Sequence, residues 1–256
     1  VFIPISGEKF NGYDYISEIC KNNPSLIISE KDIEIEPPLL KVKNNREFIR
    51  EIVGLWRKKL DTKIIGITGS NGKTTTKDLA YHVISATLDC FKTDKNYNTV
   101  LSSSLSFLSA KQSQNVALIE MGTNQPGEIK SICEVFQPNI GLITNISNAH
   151  IENFNSINDI AKEKGNLFNC LPKDGIAIIN NDDPLINKLQ TNAKKVSYGF
   201  EGNPNYFGYL NNDDQLTINN TSICLPSSGI IMAQNILAVF ALADIIGIPE
   251  NYIIEK

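Results

Sequence analysis

The run KIIGITGSNGKTTTKDLAYHVISATL, residues 63–88, constrains the fold more than any other stretch of the chain. KIIGIT (63–68) reads as a buried strand, a Gly-rich turn follows, and KTTTKDLAYHVISATL (73–88) reads as a helix. The same order recurs downstream. VALIEM (116–121) predicts a strand, PGEIKSICEVF (126–136) a helix opened by Pro126, NIGLITNI (139–146) a strand and SINDIAKEKGNLFNCL (156–171) a helix. GIAIIN (175–180) predicts a strand, a short helix falls near 183–191, and KKVSYGF closes the series at 194–200. Short apolar strands separated by helices need crossover connections. The expected fold is therefore α/β, with a mainly parallel sheet and helices on both faces.

The flanks read differently. NYFGYL and LTINNTSICLP around NNDDQ predict a hairpin or small antiparallel edge within 205–225, and QNILAVFALADIIGI (234–248) a strongly apolar helix. Residues 1–43 are expected to form a separate small α/β unit. The amphipathic helix NNREFIREIVGLWRKKL (44–60) would join it to a central domain spanning 44–256. Val1 is not an initiator and PENYIIEK reads as the first turn of a further helix, so the sequence is expected to continue at both ends.

The formal charge of −4 offers no basic surface for nucleic acid or an anionic membrane. No apolar run approaches the roughly 18 residues of a membrane span. The five cysteines, Cys20, Cys90, Cys133, Cys170 and Cys224, are scattered and form no CxxC pair, and there are only two histidines. That pattern argues against a structural zinc site and fits reduced thiols in the cytoplasm, with all five expected as buried small hydrophobes.

A strand, a Gly-rich turn and a helix N-terminus together make an anion site, because free N–H groups and the helix dipole converge there. Gly69 and Gly72 let the backbone wrap close to a phosphate. Lys73 would reach the β/γ-phosphates and the Thr74 hydroxyl would hold Mg²⁺. The usual phosphate-loop pattern asks for glycine where this chain has Ile67, so the loop is a shorter variant. The other reading is a structural turn that only opens a helix.

Two strand ends carry further candidates, since open α/β sheets bind ligands beyond their carboxyl ends. Glu120 closes VALIE just before Gly122, either as an Mg²⁺ ligand or as a capping or surface carboxylate. His150 follows GLITNISNA, as a site residue or a structural one. In the 156–171 helix, Ser156 with Asp159 gives a capping-box-like start. Lys164 there falls inside the apolar stripe of Ile160, Leu167 and Phe168, whereas Lys162 points to solvent. A lysine on a core-facing stripe snorkels, pairs or serves a site.

GITGSNGKTTTK, KNYN, IEMGTNQPGEI, TNISNAHIENFNS, IAKEKGNLF and INNDDP, in this order, resemble the Mur ligases, ATP-dependent amide ligases of peptidoglycan precursor synthesis. Within the family, EMGTNQPGEI and AHIENFNS look like the member that joins D-alanyl-D-alanine (D-Ala-D-Ala) to UDP-N-acetylmuramoyl-tripeptide. The start, VFIPISGEKFNGYDYI, resembles the family's UDP-substrate-binding domain. The resemblance implies ATP and Mg²⁺ as cofactors, an acyl-phosphate intermediate, small-molecule substrates, no nucleic acid or membrane insertion, and a cytoplasmic monomer. It implies catalytic roles for Lys73, Glu120, His150 and Lys164, with Thr74, Glu120, His150 and a Lys164 carbamate as metal ligands. It further implies nucleotide contacts by Gly69, Ser70, Asn71, Gly72, Lys73, Thr74, Thr75, Asn180 and Asn235, and substrate contacts by Asn96 and Asn98.

The chain also departs from the family. In GIIMAQN, Ile231 and Met232 replace the His-Asn pair of a pattern that contributes to the nucleotide pocket, although Gly229 and Asn235 remain. Asn166 stands where the family tends to carry Glu. These residues are expected to lack the family's C-terminal domain, which binds the incoming amino acid or dipeptide, and to carry only part of its N-terminal domain. The alternatives are another ligase of the superfamily, such as the member that adds the third residue, or a non-catalytic ATP-binding module.

Overall fold

The computed structural model describes residues 1–7, 10–148, 153–211, 215–219 and 221–254. A 3-10 turn (Gly12–Tyr15) leads into helix α1 (Ile16–Lys21), followed by the short strands β1 (Ile27–Ser29) and β2 (Leu39–Lys41), which pair in parallel as a two-stranded sheet of their own. Helix α2 (Asn45–Lys59) starts at Asn44, whose side chain accepts from the N–H groups of Arg46 and Glu47. The buried Asn45 side chain donates to Pro4 O at 2.6 Å and ties the first residues to the head of α2.

The main body alternates as the sequence predicts. It runs β3 (Lys63–Thr68), α3 (Lys73–Ile84), β4 (Cys90–Lys92), α4 (Val100–Phe107), β5 (Val116–Glu120), α5 (Glu128–Phe136) and β6 (Ile140–Ile143). It continues α6 (Ile157–Asn169), β7 (Ile176–Asn180), α7 (Pro184–Asn187), β8 (Lys194–Gly199), β9 (Tyr206–Leu210), β10 (Gln215–Ile218), β11 (Thr221–Cys224), α8 (Ile230–Ile245) and α9 (Glu250–Ile254). Among the described residues the sheet order is β11-β10-β9-β8-β7-β6-β3-β5-β4. Neighbours from β4 to β9 run parallel, and β9, β10 and β11 form the antiparallel edge. The chain leaves β3 toward β5 and β4, then returns to β6 on its other side. The carboxyl end of β3 is thus the switch point, where an open α/β sheet forms its crevice.

Alternation along each strand builds two cores. Ile64, Ala117, Ile119, Ile143 and Ile179 face α2, α4, α5 and α6, whereas Ile65, Ile67, Leu118, Leu142 and Ile178 face α3 and α8. Helix α8 is apolar all round, and Leu237 through Ala243 are buried.

Several expectations need correction. Neither β4 nor α4 was expected: β4 has only three residues, and α4 (VLSSSLSF) is serine-rich, held by a capping box between Thr99 and Ser102. Helix α5 does not open at Pro126. Gly127, at φ +92°, is its N-cap, and the N–H groups of Gly127 and Ile129 bond to the Glu163 carboxylate on α6 at 2.8 and 2.9 Å. Helix α3 ends at Ile84, and α8 starts at Ile230. Of the cysteines, Cys90 and Cys133 are buried, Cys20 and Cys170 half-buried, and Cys224 is exposed on edge strand β11.

Candidate active site

The loop between β3 and α3 needs both of its glycines. Gly69 has φ +152°, and a Cβ there would lie 1.9 Å from Thr144 Oγ1. Gly72 has φ +81°, and a Cβ there would lie 2.7 Å from Asn235 Oδ1. The segment after β6 clamps the loop. Asn145 O accepts from Ser70 N (2.9 Å), Asn145 Oδ1 accepts from Asn71 N (3.0 Å), and Thr144 Oγ1 donates to Asn71 O (2.6 Å). Ser147 N donates to Ser70 Oγ at 2.8 Å. The N–H groups and side chain of Ser70 and the N–H of Asn71 are therefore engaged within the protein. The open donors are one turn on: the first bond of α3 runs from Thr76 N to Gly72 O (2.8 Å), so the N–H groups of Lys73, Thr74 and Thr75 have no intrahelical carbonyl to meet.

On one side of this opening lie two lysines. Lys73 Nζ donates to Gly69 O at 2.8 Å and Ser70 O at 3.2 Å. Lys164, only 2 % exposed, donates to the same Gly69 O at 3.1 Å, so it does not snorkel. Among the described residues neither has a carboxylate within ion-pair distance. Burial and the Lys73 charge lower the Lys164 ammonium to about 8, against a smaller opposing pull from Glu163. Burial likewise lowers Lys73, with Glu120 opposing. Lys162 is exposed, as its helical position predicts.

The other side is built on Glu120, at the end of β5 and 1 % exposed. Its Oε1 accepts from Thr74 Oγ1 and Asn98 Nδ2, both at 3.1 Å, and its Oε2 from Lys77 Nζ at 3.2 Å. Lys77 is wholly buried and was missed by sequence reasoning. The signal was present. Lys77 shares a helical stripe with Ala80 and Ile84, as Lys164 does with its apolar neighbours. Glu163 was missed as well, because it caps α5 from a different helix.

The remaining candidates divide. Asn98 is inside the site, and Asn96 is exposed on the turn before it. Asn235 is buried against Gly72. The Asn180 amide is occupied: Nδ2 donates to Thr144 O (2.8 Å) and Oδ1 accepts from Asp182 N (3.1 Å), which supports the clamp. His150 lies outside the described residues. An apolar hollow of about 230 Å³ between α3, α8 and β11, lined by Leu79, Val83, Ile236 and Phe240, contains none of these groups. Chemistry locates the site here better than shape does.

Thr74 Oγ1 and the Glu120 carboxylate are hard oxygen donors beside the open N–H groups at the head of α3. That set suits Mg²⁺, which keeps waters and takes substrate phosphates as its other ligands. Among the described residues no group of three or more His, Cys, Asp or Glu side chains is placed to hold a metal.

Residues 67–243, from β3 into α8, match the Mur ligase middle domain. The chain is 30 % identical over 254 residues to the UDP-N-acetylmuramoyl-tripeptide–D-alanyl-D-alanine ligase of Synechocystis sp., covering 97 % of this chain and 56 % of that one. It is 32 % identical over 199 residues to the ligase of that name from Rickettsia prowazekii, covering 77 % and 44 %. It superposes on MurF from Acinetobacter baumannii with a TM-score of 0.90 and 25 % identity over 99 % of this chain and 58 % of that one. The MurF ligase of Thermotoga maritima in complex with ADP shares the fold, with a TM-score of 0.88 at 22 % identity over 99 % and 62 %. The chain spans about half the length of the curated relatives it matches. Together with the phosphate loop, the buried Glu120 and the paired lysines, these matches show that the chain belongs to the Mur ligase family.

Proposed function

We propose that this chain is the nucleotide-binding and substrate-activating part of a cytoplasmic, monomeric ATP-dependent ligase that joins D-Ala-D-Ala to UDP-N-acetylmuramoyl-tripeptide. Residues 1–43 belong to the unit that binds the UDP-linked substrate, and 44–256 form the ATP-binding domain. One observation carries the reading. Lys73 and Lys164, neither with a carboxylate within ion-pair distance among the described residues, converge on Gly69 O beside the open N–H groups of Lys73, Thr74 and Thr75, and a hydroxyl and a carboxylate suited to Mg²⁺ lie at the same helix end. That is an unfinished site for a polyphosphate.

The β/γ-phosphates of ATP lie on the first turn of α3. Lys73 leaves the Gly69 carbonyl for the γ-phosphate, and Asn235 keeps Gly72 close. Thr74 and Glu120 would hold Mg²⁺, which when bound would neutralise charge on the phosphates; His150 would belong to a second metal position. Phosphoryl transfer relies on such positioning more than on covalent help. The substrate's terminal carboxylate attacks the γ-phosphorus, giving an acyl-phosphate and ADP. The dipeptide amine then attacks the acyl carbon, losing a proton as the amide forms and phosphate leaves. Asn98 and Asn96 face the UDP-linked substrate, and Asn180 supports the adenine side through Thr144.

Lys164 acts as a carbamate. Its amine, lowered to about 8, is partly neutral near neutral pH, as attack on CO₂ requires. The amine nitrogen bonds the CO₂ carbon and loses one proton to solvent, which leaves a carbamate anion on Lys164 beside Lys73. ¹³C-bicarbonate should give a carbamate resonance that the Lys164→Met variant lacks.

The deciding experiment is ATP-dependent phosphate release by the full-length protein, with each substrate omitted in turn. Release that requires both substrates is expected, and nucleotide binding without such release would overturn the ligase reading. One observation favours a non-catalytic nucleotide-binding module instead: Ile231, in place of the family's His, is 59 % exposed on the first turn of α8 and offers the nucleotide no polar group.

A further inference from the structure

Lys77 lies one helical turn beyond Lys73 and belongs to no phosphate contact described above. A wholly buried ammonium must place its three donors on acceptors. Lys77 Nζ donates to Lys95 O at 2.6 Å and Glu120 Oε2 at 3.2 Å, with Asp78 Oδ1 a longer ionic contact at 3.9 Å. Lys95 has φ +43°, a left-handed conformation that a non-glycine residue adopts at a cost, and Tyr97 N closes the same turn on Asp94 O at 2.9 Å. One amine thus fastens both the turn that leads into Asn98 and one oxygen of the buried Glu120.

We propose that Lys77 is a positioning residue: by holding Glu120 Oε2 and the Lys95 carbonyl, it aims Oε1 at Thr74 and keeps the 94–98 turn in register with the cation-binding pair. Stability alone gives no reason for a lysine here. A buried ion pair is no better for stability than apolar residues of similar volume, and the stripe continues as Ala80 and Ile84. What the lysine adds is orientation. With Oε2 held, Oε1 is the oxygen shared by Thr74 and Asn98. Partners that orient a metal ligand in this way typically change metal affinity by about 10- to 100-fold.

The inference rests on the nucleotide reading above, and its test separates the two. ADP binding to full-length wild type, Lys77→Met and Lys77→Arg is measured by calorimetry with MgCl₂ and with EDTA. Amide exchange at Tyr97 is followed in parallel. The quantity read is the gain in affinity that magnesium gives. Lys77→Met should lose about 10-fold of that gain with magnesium-free affinity unchanged, and Tyr97 N–H should exchange faster. Lys77→Arg should recover only part, because a guanidinium in a site closed around an ammonium cannot reproduce both bonds. A magnesium gain equal to wild type in Lys77→Met, or an equal fall in both affinities, overturns the proposal. If the Met variant does not fold, a wild-type gain in Lys77→Arg overturns it as well. A wild-type protein that binds no nucleotide overturns both this inference and the function it rests on.

Discussion

The two sides of the phosphate loop follow opposite electrostatic plans. On the Glu120 side each carboxylate oxygen has a donor, and Lys77 has both a charge partner and a carbonyl. On the Lys164 side two ammonium groups share one carbonyl and have no carboxylate within reach among the described residues. Like charges in a poorly solvated place repel, which is a cost to the folded protein. On the first side every charged group has a partner within the protein; in the proposed reading an anion completes the second. In the proposed reading the second side trades stability for affinity toward phosphate.

The largest effect should come from breaking the complete side. Glu120→Gln leaves the Lys77 ammonium buried without its counter-charge, and urea unfolding should show a loss of roughly 3–5 kcal/mol. The double variant Lys77→Met with Glu120→Gln should regain much of that loss, since neither charge then remains. A single-variant loss below about 1 kcal/mol would place the pair with weak surface bridges and remove the contrast. On the incomplete side, Lys73→Met should behave in the opposite way. ATP affinity should fall by about 100-fold, near 3 kcal/mol, while stability holds or rises because Lys164 loses its repelling neighbour. Calorimetry and melting of the same variant check both halves.

Lys164 sharpens the contrast through pH. Its folded value is about 8 against the ordinary 10.5, so on raising pH the native state releases the proton before the unfolded chain does. Between those values the unfolded state binds more protons, and stability therefore rises with pH across that window. Below it the cost of the buried charge is present in full. Urea midpoints at the two ends of the window, in CO₂-free buffer, should show the rise in wild type and lose it in Lys164→Met. Added bicarbonate should flatten the wild-type slope by converting the amine to an anion.

The sheet, its parallel core and the phosphate loop were legible because they rest on local signals: β-branched runs, period-2 burial and a Gly-rich turn before a helix. Lys164 was legible as a charge out of phase with its helix. Lys77 carries the same signal on α3, but the phosphate pattern drew attention to Lys73 and Thr74 instead. The roles of Asn180 and Glu163 were not legible. Asn180 supports Thr144 across two strands, and Glu163 supplies the helix cap of α5 from another helix, so neither partner is near in sequence. β4 and α4 were invisible for a different reason: three strand residues and a serine-rich helix take their structure from packing rather than propensity.

The smallest effect tests where the cradle ends. Ser70 belongs to the glycine-rich turn, yet its N–H bonds to Asn145 O and its hydroxyl accepts from Ser147 N. Thr74, four residues on, has an N–H with no intrahelical partner and a hydroxyl on Glu120. If the frame and the cradle are distinct, Ser70→Ala should cost about 1 kcal/mol of stability and leave the affinity for Mg-ATP unchanged. Thr74→Ala should do the reverse, lowering the magnesium-dependent part of nucleotide affinity with little effect on the urea midpoint. Equal losses of affinity in the two variants would mean that the clamp from 144–147 opens when nucleotide binds. The cradle would then extend back to Ser70, and the turn could not be divided into a frame and a binding part.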